Sequence, residues 1–120
     1  MKPTKEHTVK YLLQVISFND APIAEGEGPT VEELIGYKRA MLSAGVLVDS
    51  GFLDDHQPAT TVQVGAAGEQ IITNGPFPQT REHLRGWDVI DVPDLDAALE
   101  WAARNPVAKS GRVEIRSVVG

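Results

Sequence analysis

The chain has 120 residues, 42% of them apolar and 23% charged, which suits one ordinary globular domain and excludes disordered and fibrous classes. Seventeen acidic residues against 11 basic ones give a net charge of -6, with no Lys/Arg cluster, so a nucleic-acid backbone or an anionic membrane surface is repelled. The absence of Cys excludes disulfides, thiolate nucleophiles and Cys-ligated zinc.

Residues 1–8 read as a flexible tail, and residues 9–120 as a single domain. The apolar stretch after the tail is broken by Gln14 and lacks a small-residue cleavage site, so no signal peptide is expected and the cytoplasm is the assigned location. From Val9 to Phe18 a period of two places Val9, Tyr11, Leu13 and Val15 on one face of a first strand. Its second face, with Leu12 and Ile16 among polar residues, is half apolar and calls for a second layer or a second subunit.

Residues 19–29 carry loop chemistry, and Thr30 with Glu33 forms a capping-box pattern that starts a helix. Val31, Leu34, Ile35, Met41 and Leu42 are expected along its buried face, with Lys38 snorkelling, and Gly45 is the expected stop. Val46–Val48 is open between a strand and a packed helix exit. Two short strands, Thr60–Val64 and Glu69–Thr73, surround a Gly-containing hairpin loop, and Asn74-Gly75-Pro76 turns the chain. Thr80–Arg85 is expected as one helical turn stopped at Gly86, followed by a strand at Trp87–Val92 whose buried face periodicity alone does not choose. Asp94 caps a second helix with Leu95, Ala98, Leu99 and Ala102 on its buried stripe, and Asn105-Pro106 ends it. In a last strand, Val113 and Ile115 alternate with Arg112, Glu114 and Arg116.

This order predicts an α+β, ferredoxin-like split βαβ subunit, an antiparallel sheet with both helices on one face. Thr73-Asn74-Gly75-Pro76-Phe77 resembles the TDGPF segment that names the DGPF group of the YCII-related family. Thr80–Trp87, the Asp94–Ala102 helix and Val113-Glu114-Ile115-Arg116 resemble further family segments, so the resemblance runs from about residue 9 to 119. It implies a homodimer, sheet against sheet, in a dimeric α+β barrel with a cleft between the sheets. Its role in the family is unsettled: the fold is shared with small isomerases and monooxygenases, and some members' genes lie beside sigma-factor genes. Three positions depart from the family pattern: Asn74 stands for its Asp, Gly51 for its Glu, and Ser117 for its Pro.

Candidate chemistry is sparse. His83, five residues before Asp88, is the best histidine for proton transfer, with His56 beside Asp54 and Asp55 second. Asn74, Gly75, Pro76 and Phe77 are candidates for a ligand-binding turn, with a purely architectural turn as the plainer alternative. Glu114 and Arg116 share a strand face from which Arg can grip an anion, or they form an ordinary surface pair. No metal motif is present, Gly65–Gly68 lies between strands and not before a helix, and no cofactor is expected. Three readings follow: a homodimeric small-molecule-binding or accessory protein, a cofactor-independent acid-base enzyme acting on a small polar substrate, or a dimerising accessory protein in sigma-factor-linked regulation.

Overall fold

A computed structural model describes residues 7–18, 28–75 and 82–119. Six strands, β1 (Val9–Ser17), β2 (Leu47–Phe52), β3 (Thr60–Val64), β4 (Gln70–Asn74), β5 (His83–Val92) and β6 (Gly111–Ser117), alternate with two helices, α1 (Val31–Ser43) and α2 (Leu95–Arg104). A four-stranded sheet has the order β2-β5-β1-β6 with each pair antiparallel, and β3 and β4 form a separate two-stranded sheet. With the β3–β4 hairpin set aside, this is the ferredoxin-like order expected from the alternation of elements. Among the described residues no helix is long and apolar enough to cross a membrane.

Register explains which face is covered. Tyr11 pairs with Ile90, Leu13 with Asp88 and Val9 with Val92, so the alternating apolar set of β1 lies beside Asp88, Ile90 and Val92. Tyr11, Leu13, Ile90 and Val92 form one core with Tyr37 and Met41 of α1 and Ala98 of α2, which places both helices on this face. Val113 and Ile115 of β6 pack against the same core. Opposite them, Leu12, Gln14, Trp87 and Val89 sit on a face that no helix covers.

The helix ends follow their sequence signals. Thr30 Oγ1 accepts from the Glu33 backbone N–H at 3.1 Å, and Glu33 Oε1 accepts from the Thr30 backbone N–H, a complete capping box. Gly45 adopts φ +71°, the left-handed conformation that a stop after α1 requires. Asp94 Oδ1 accepts from the Ala97 N–H at 2.9 Å at the start of α2. After Asn105 the chain adds a 3-10 turn, Pro106–Lys109, whose Val107 is buried beside Val15 and Leu34.

Several expectations are corrected. On α1 the buried residues are Leu34, Tyr37 and Met41, while Val31, Ile35 and Leu42 are exposed; the amphipathic tyrosine wins the core position because its hydroxyl finds the Trp101 carbonyl. On α2 only Ala98 and Ala102 are buried, and Leu95 and Leu99 are half exposed, because small residues let the helix approach the sheet closely. His83–Arg85 and Gly86 belong to β5 and not to a helical turn, since β1 continues to Ser17 and offers them a pairing partner; Thr80 and Arg81 lie outside the described residues. Val48 falls inside β2.

Candidate functional site

A β-bulge creates the most unusual position in the sheet. Val15 and Ile16 are consecutive, yet they pair with Gly86 and Leu84, so Arg85 is an extra residue in β5. The bulge turns its side chain toward Ser17, opposite in sense to what simple alternation with Trp87 would give. Arg85 Nε donates to Ser17 Oγ at 2.7 Å, and Nη1 donates to Asp55 Oδ1 at 3.0 Å. Both charged side chains of this pair are buried. A guanidinium so held is rigid, because its planar fork is fixed at two corners.

Beside this pair lies an open cavity of about 520 Å³. One wall is the β2–β3 loop, with Leu53, Asp54, Asp55, Gln57, Pro58 and Ala59; the other is the start of β5, with Glu82, His83, Leu84 and Arg85. The loop is shaped locally: Asp54 Oδ1 accepts from the His56 N–H at 2.9 Å, an Asx turn, and the Leu53 N–H donates to the Arg85 carbonyl at 2.8 Å. Leu53, Pro58, Ala59 and Leu84 supply apolar surface between the charged groups, the mixed lining expected of a small-ligand pocket.

The sequence candidates fall in different places. His83 is on the cavity wall. Asp88 is not: it is fully buried on the helix-covered face, where Lys38 of α1 forms an ion pair with it. Their β1 partners, Ser17 and Leu13, are four residues apart, roughly 13 Å along a strand, so His83 and Asp88 do not form a proton-transfer pair. Glu114 and Arg116 are on the uncovered sheet face, and Arg116 Nε donates to Gln14 Oε1 at 2.9 Å. Arg112 joins this face to the cavity: it is ion-paired with Glu82 on the cavity wall and lies 3.6 Å from Glu114.

Asn74 ends β4 opposite Thr60, and Gly75 follows with φ +114°. The Gly75 N–H donates to the Ala59 carbonyl at 2.6 Å, and Thr61 Oγ1 donates to the Gly75 carbonyl at 2.8 Å. The first bond ties Gly75 to the cavity wall at Ala59, and both bonds engage the Gly75 backbone, not the Asn74 side chain. Pro76 and Phe77 lie outside the described residues. His56 is in the loop that walls the cavity, but its side chain is not part of the lining. Among the described residues, no cluster of three His, Asp or Glu side chains could hold a metal ion.

Two features escaped sequence reasoning. Arg85 carries no signal in a periodicity scan, because a bulge breaks the period that such a scan uses. Gly51 is explained by its neighbour: a Cβ there would stand 2.3 Å from the Trp87 ring, so the glycine makes room for an indole lying across β2. Trp87 Nε1 donates to Asp49 Oδ2 at 3.3 Å and fixes that orientation.

On the covered face, Tyr37 Oη donates to the Trp101 carbonyl at 2.8 Å. Burial, reinforced by the nearby Asp88 carboxylate, pushes the Tyr37 hydroxyl well above the ordinary phenol range. Asp88 Oδ2 is buried without a hydrogen-bond partner among the described residues, and Asp88 does not line the cavity described above.

Residues 11–120 match the model of the YCII-related domain. An uncharacterised protein of Rhizobium meliloti (strain 1021) is 31% identical over 112 residues, which covers 88% of this chain and 90% of that protein.

Proposed function

The chain belongs to the YCII-related domain family, and from that premise and the site geometry we propose that it is a homodimeric small-molecule-binding protein of DGPF type whose ligand sits in the cavity between the β2–β3 loop and the start of β5. One observation carries the reading: the bulged Arg85 is buried at the cavity wall and clamped by Ser17 and Asp55. Buried ion pairs contribute little net stability compared with apolar packing, so a rigid, charged wall beside an apolar-lined cavity is better explained by recognition than by folding. The ligand class that fits is a small polar molecule with an apolar portion. The uncovered sheet face, with Leu12, Trp87 and Val89, supports pairing with a second subunit.

The test is a melting screen of the protein against small carboxylates, phosphates and amines, followed by the Arg85→Met variant. A ligand that raises the melting temperature of the wild type and not of Arg85→Met supports the proposal. No shift with any class, or equal shifts in both proteins, sinks it.

An acid-base enzyme is the second reading, and His83 on the cavity wall favours it. It rests on His83 without Asp88, since Asp88 serves Lys38. If a bound molecule is turned over, His83→Asn abolishes turnover while the melting shift remains; retained turnover removes this reading.

A further inference from the structure

Three carboxylates, those of Asp54, Asp55 and Glu82, line the cavity against the one guanidinium of Arg85. Arg85 and Asp55 cancel one another. Nη1 donates to Asp55 Oδ1 at 3.0 Å and Nε donates to Ser17 Oγ at 2.7 Å, and the paired side chains are 6% and 8% exposed. An anion entering the cavity has to displace the buried carboxylate of Asp55 or share the guanidinium with it, and two negative charges on one cation repel at that distance. Arg85 is therefore a poor hook for an anion, although it is the one base on the lining.

The charge that the lining carries beyond this pair is negative, and it stands on both walls. On the loop wall Asp54 is exposed, and its Oδ1 accepts from the His56 N–H at 2.9 Å. That bond fixes the carboxylate in place while using a small part of its acceptor capacity. On the β5 wall Glu82 is exposed; its partner Arg112 does not line the cavity, and the pair is half exposed on both sides, where water and salt weaken it. Leu53 and Leu84, with Pro58 and Ala59, add apolar surface to the same walls. Among the described residues no group of three His, Asp or Glu side chains could hold a metal ion. Carboxylates combined with apolar surface suit an organic ammonium instead. We infer that the cavity selects a small organic cation, an ammonium on a short apolar stem, with Asp54 and Glu82 as its counter-charges and Leu53 and Leu84 against the stem. The net charge of -6 acts in the same sense at longer range, drawing cations in and turning anions away. Cation selection rests on the cavity-binding reading above and narrows its ligand.

The experiment is an amide chemical-shift titration of the full chain with three probes of one size and different charge: n-butylammonium, 1-butanol and butyrate. Saturable shifts at Leu53 to Ala59 and Glu82 to Arg85 are expected with n-butylammonium, at a Kd about tenfold or more below that of butyrate. Asp54→Asn retains a side-chain oxygen for the His56 N–H, so the loop keeps its turn. It should weaken n-butylammonium about threefold or more and leave 1-butanol unchanged. Glu100→Gln, an exposed acid of α2 outside the cavity, removes the same net charge and should change neither. Butyrate bound at these amides as tightly as n-butylammonium overturns cation selection and leaves the cavity reading standing. Equal weakening by Glu100→Gln also overturns it, because the effect is then one of overall charge. No saturable shift at these amides with any of the three probes overturns cation selection and the cavity reading together.

Discussion

Lys38–Asp88 and Arg85–Asp55 are both buried ion pairs anchored on β5, three residues apart, yet they do different work. The first joins a helix to the central sheet, its carboxylate fully buried. The second joins a bulge to a loop, and a cavity opens against it. In the first pair both partners sit on regular elements that cannot move apart without breaking the core. In the second, one partner lies on the β2–β3 loop, outside the regular elements. Equal chemistry on the same strand thus ties two regular elements together in one place and a bulge to a cavity-walling loop in the other.

Substitutions can break that contrast. The largest effect is expected from Lys38→Met, which strands the Asp88 charge in the core and should cost about 3–5 kcal/mol of stability by urea unfolding. A cost under about 1 kcal/mol would mean that the pair does not hold α1 to the sheet. Arg85→Met is expected to cost less, about 1–2 kcal/mol, because Asp55 lines an open cavity. If Arg85→Met proves as damaging as Lys38→Met, the contrast fails.

Tyr37→Phe sharpens the picture around Asp88. It removes one hydrogen bond to the Trp101 carbonyl and should cost about 1 kcal/mol near neutral pH. Its pH signature is more specific. The folded-state hydroxyl titrates above its unfolded value of 10.0, so the folded protein binds the proton more tightly and stability is lost as pH rises beyond 10.0. Unfolding free energy measured against pH should therefore fall less steeply above that value in Tyr37→Phe. The smallest effect belongs to the half-exposed Arg112–Glu82 pair: Arg112→Ala should change stability by about 0–1 kcal/mol, with most of that removed by salt.

Much of the fold was legible in the sequence because its signals are local. Thr30 with Glu33, Gly45 and Asp94 place the helix ends from capping chemistry alone. The alternation of β1 and β6 told the covered face from the uncovered one. Where two readings were chemically even, the sequence could not choose: Asp88, Ile90 and Val92 face the core because Lys38 reaches across from α1 to neutralise the one charge among them. The candidate site was legible in His83 and in the Asp54–Asp55 loop, but not in how they meet Arg85. Arg85 depends on a bulge, Asp55 on the path of a loop, and their meeting on a sequence separation of 30 residues that no spacing rule spans. The turn that gave the family resemblance lies next to the cavity, and its Gly75 contributes backbone bonds, which leaves the change from Asp to Asn74 without consequence for those contacts.

Binding of a small polar molecule in the Arg85-walled cavity is tested most directly by an amide chemical-shift titration. With the best hit of the melting screen, saturable shifts are expected at the amides of Leu53 to Ala59 and of Glu82 to Arg85, and they should vanish in Arg85→Met. Saturable shifts confined to other residues, or an unchanged response in that variant, would contradict it.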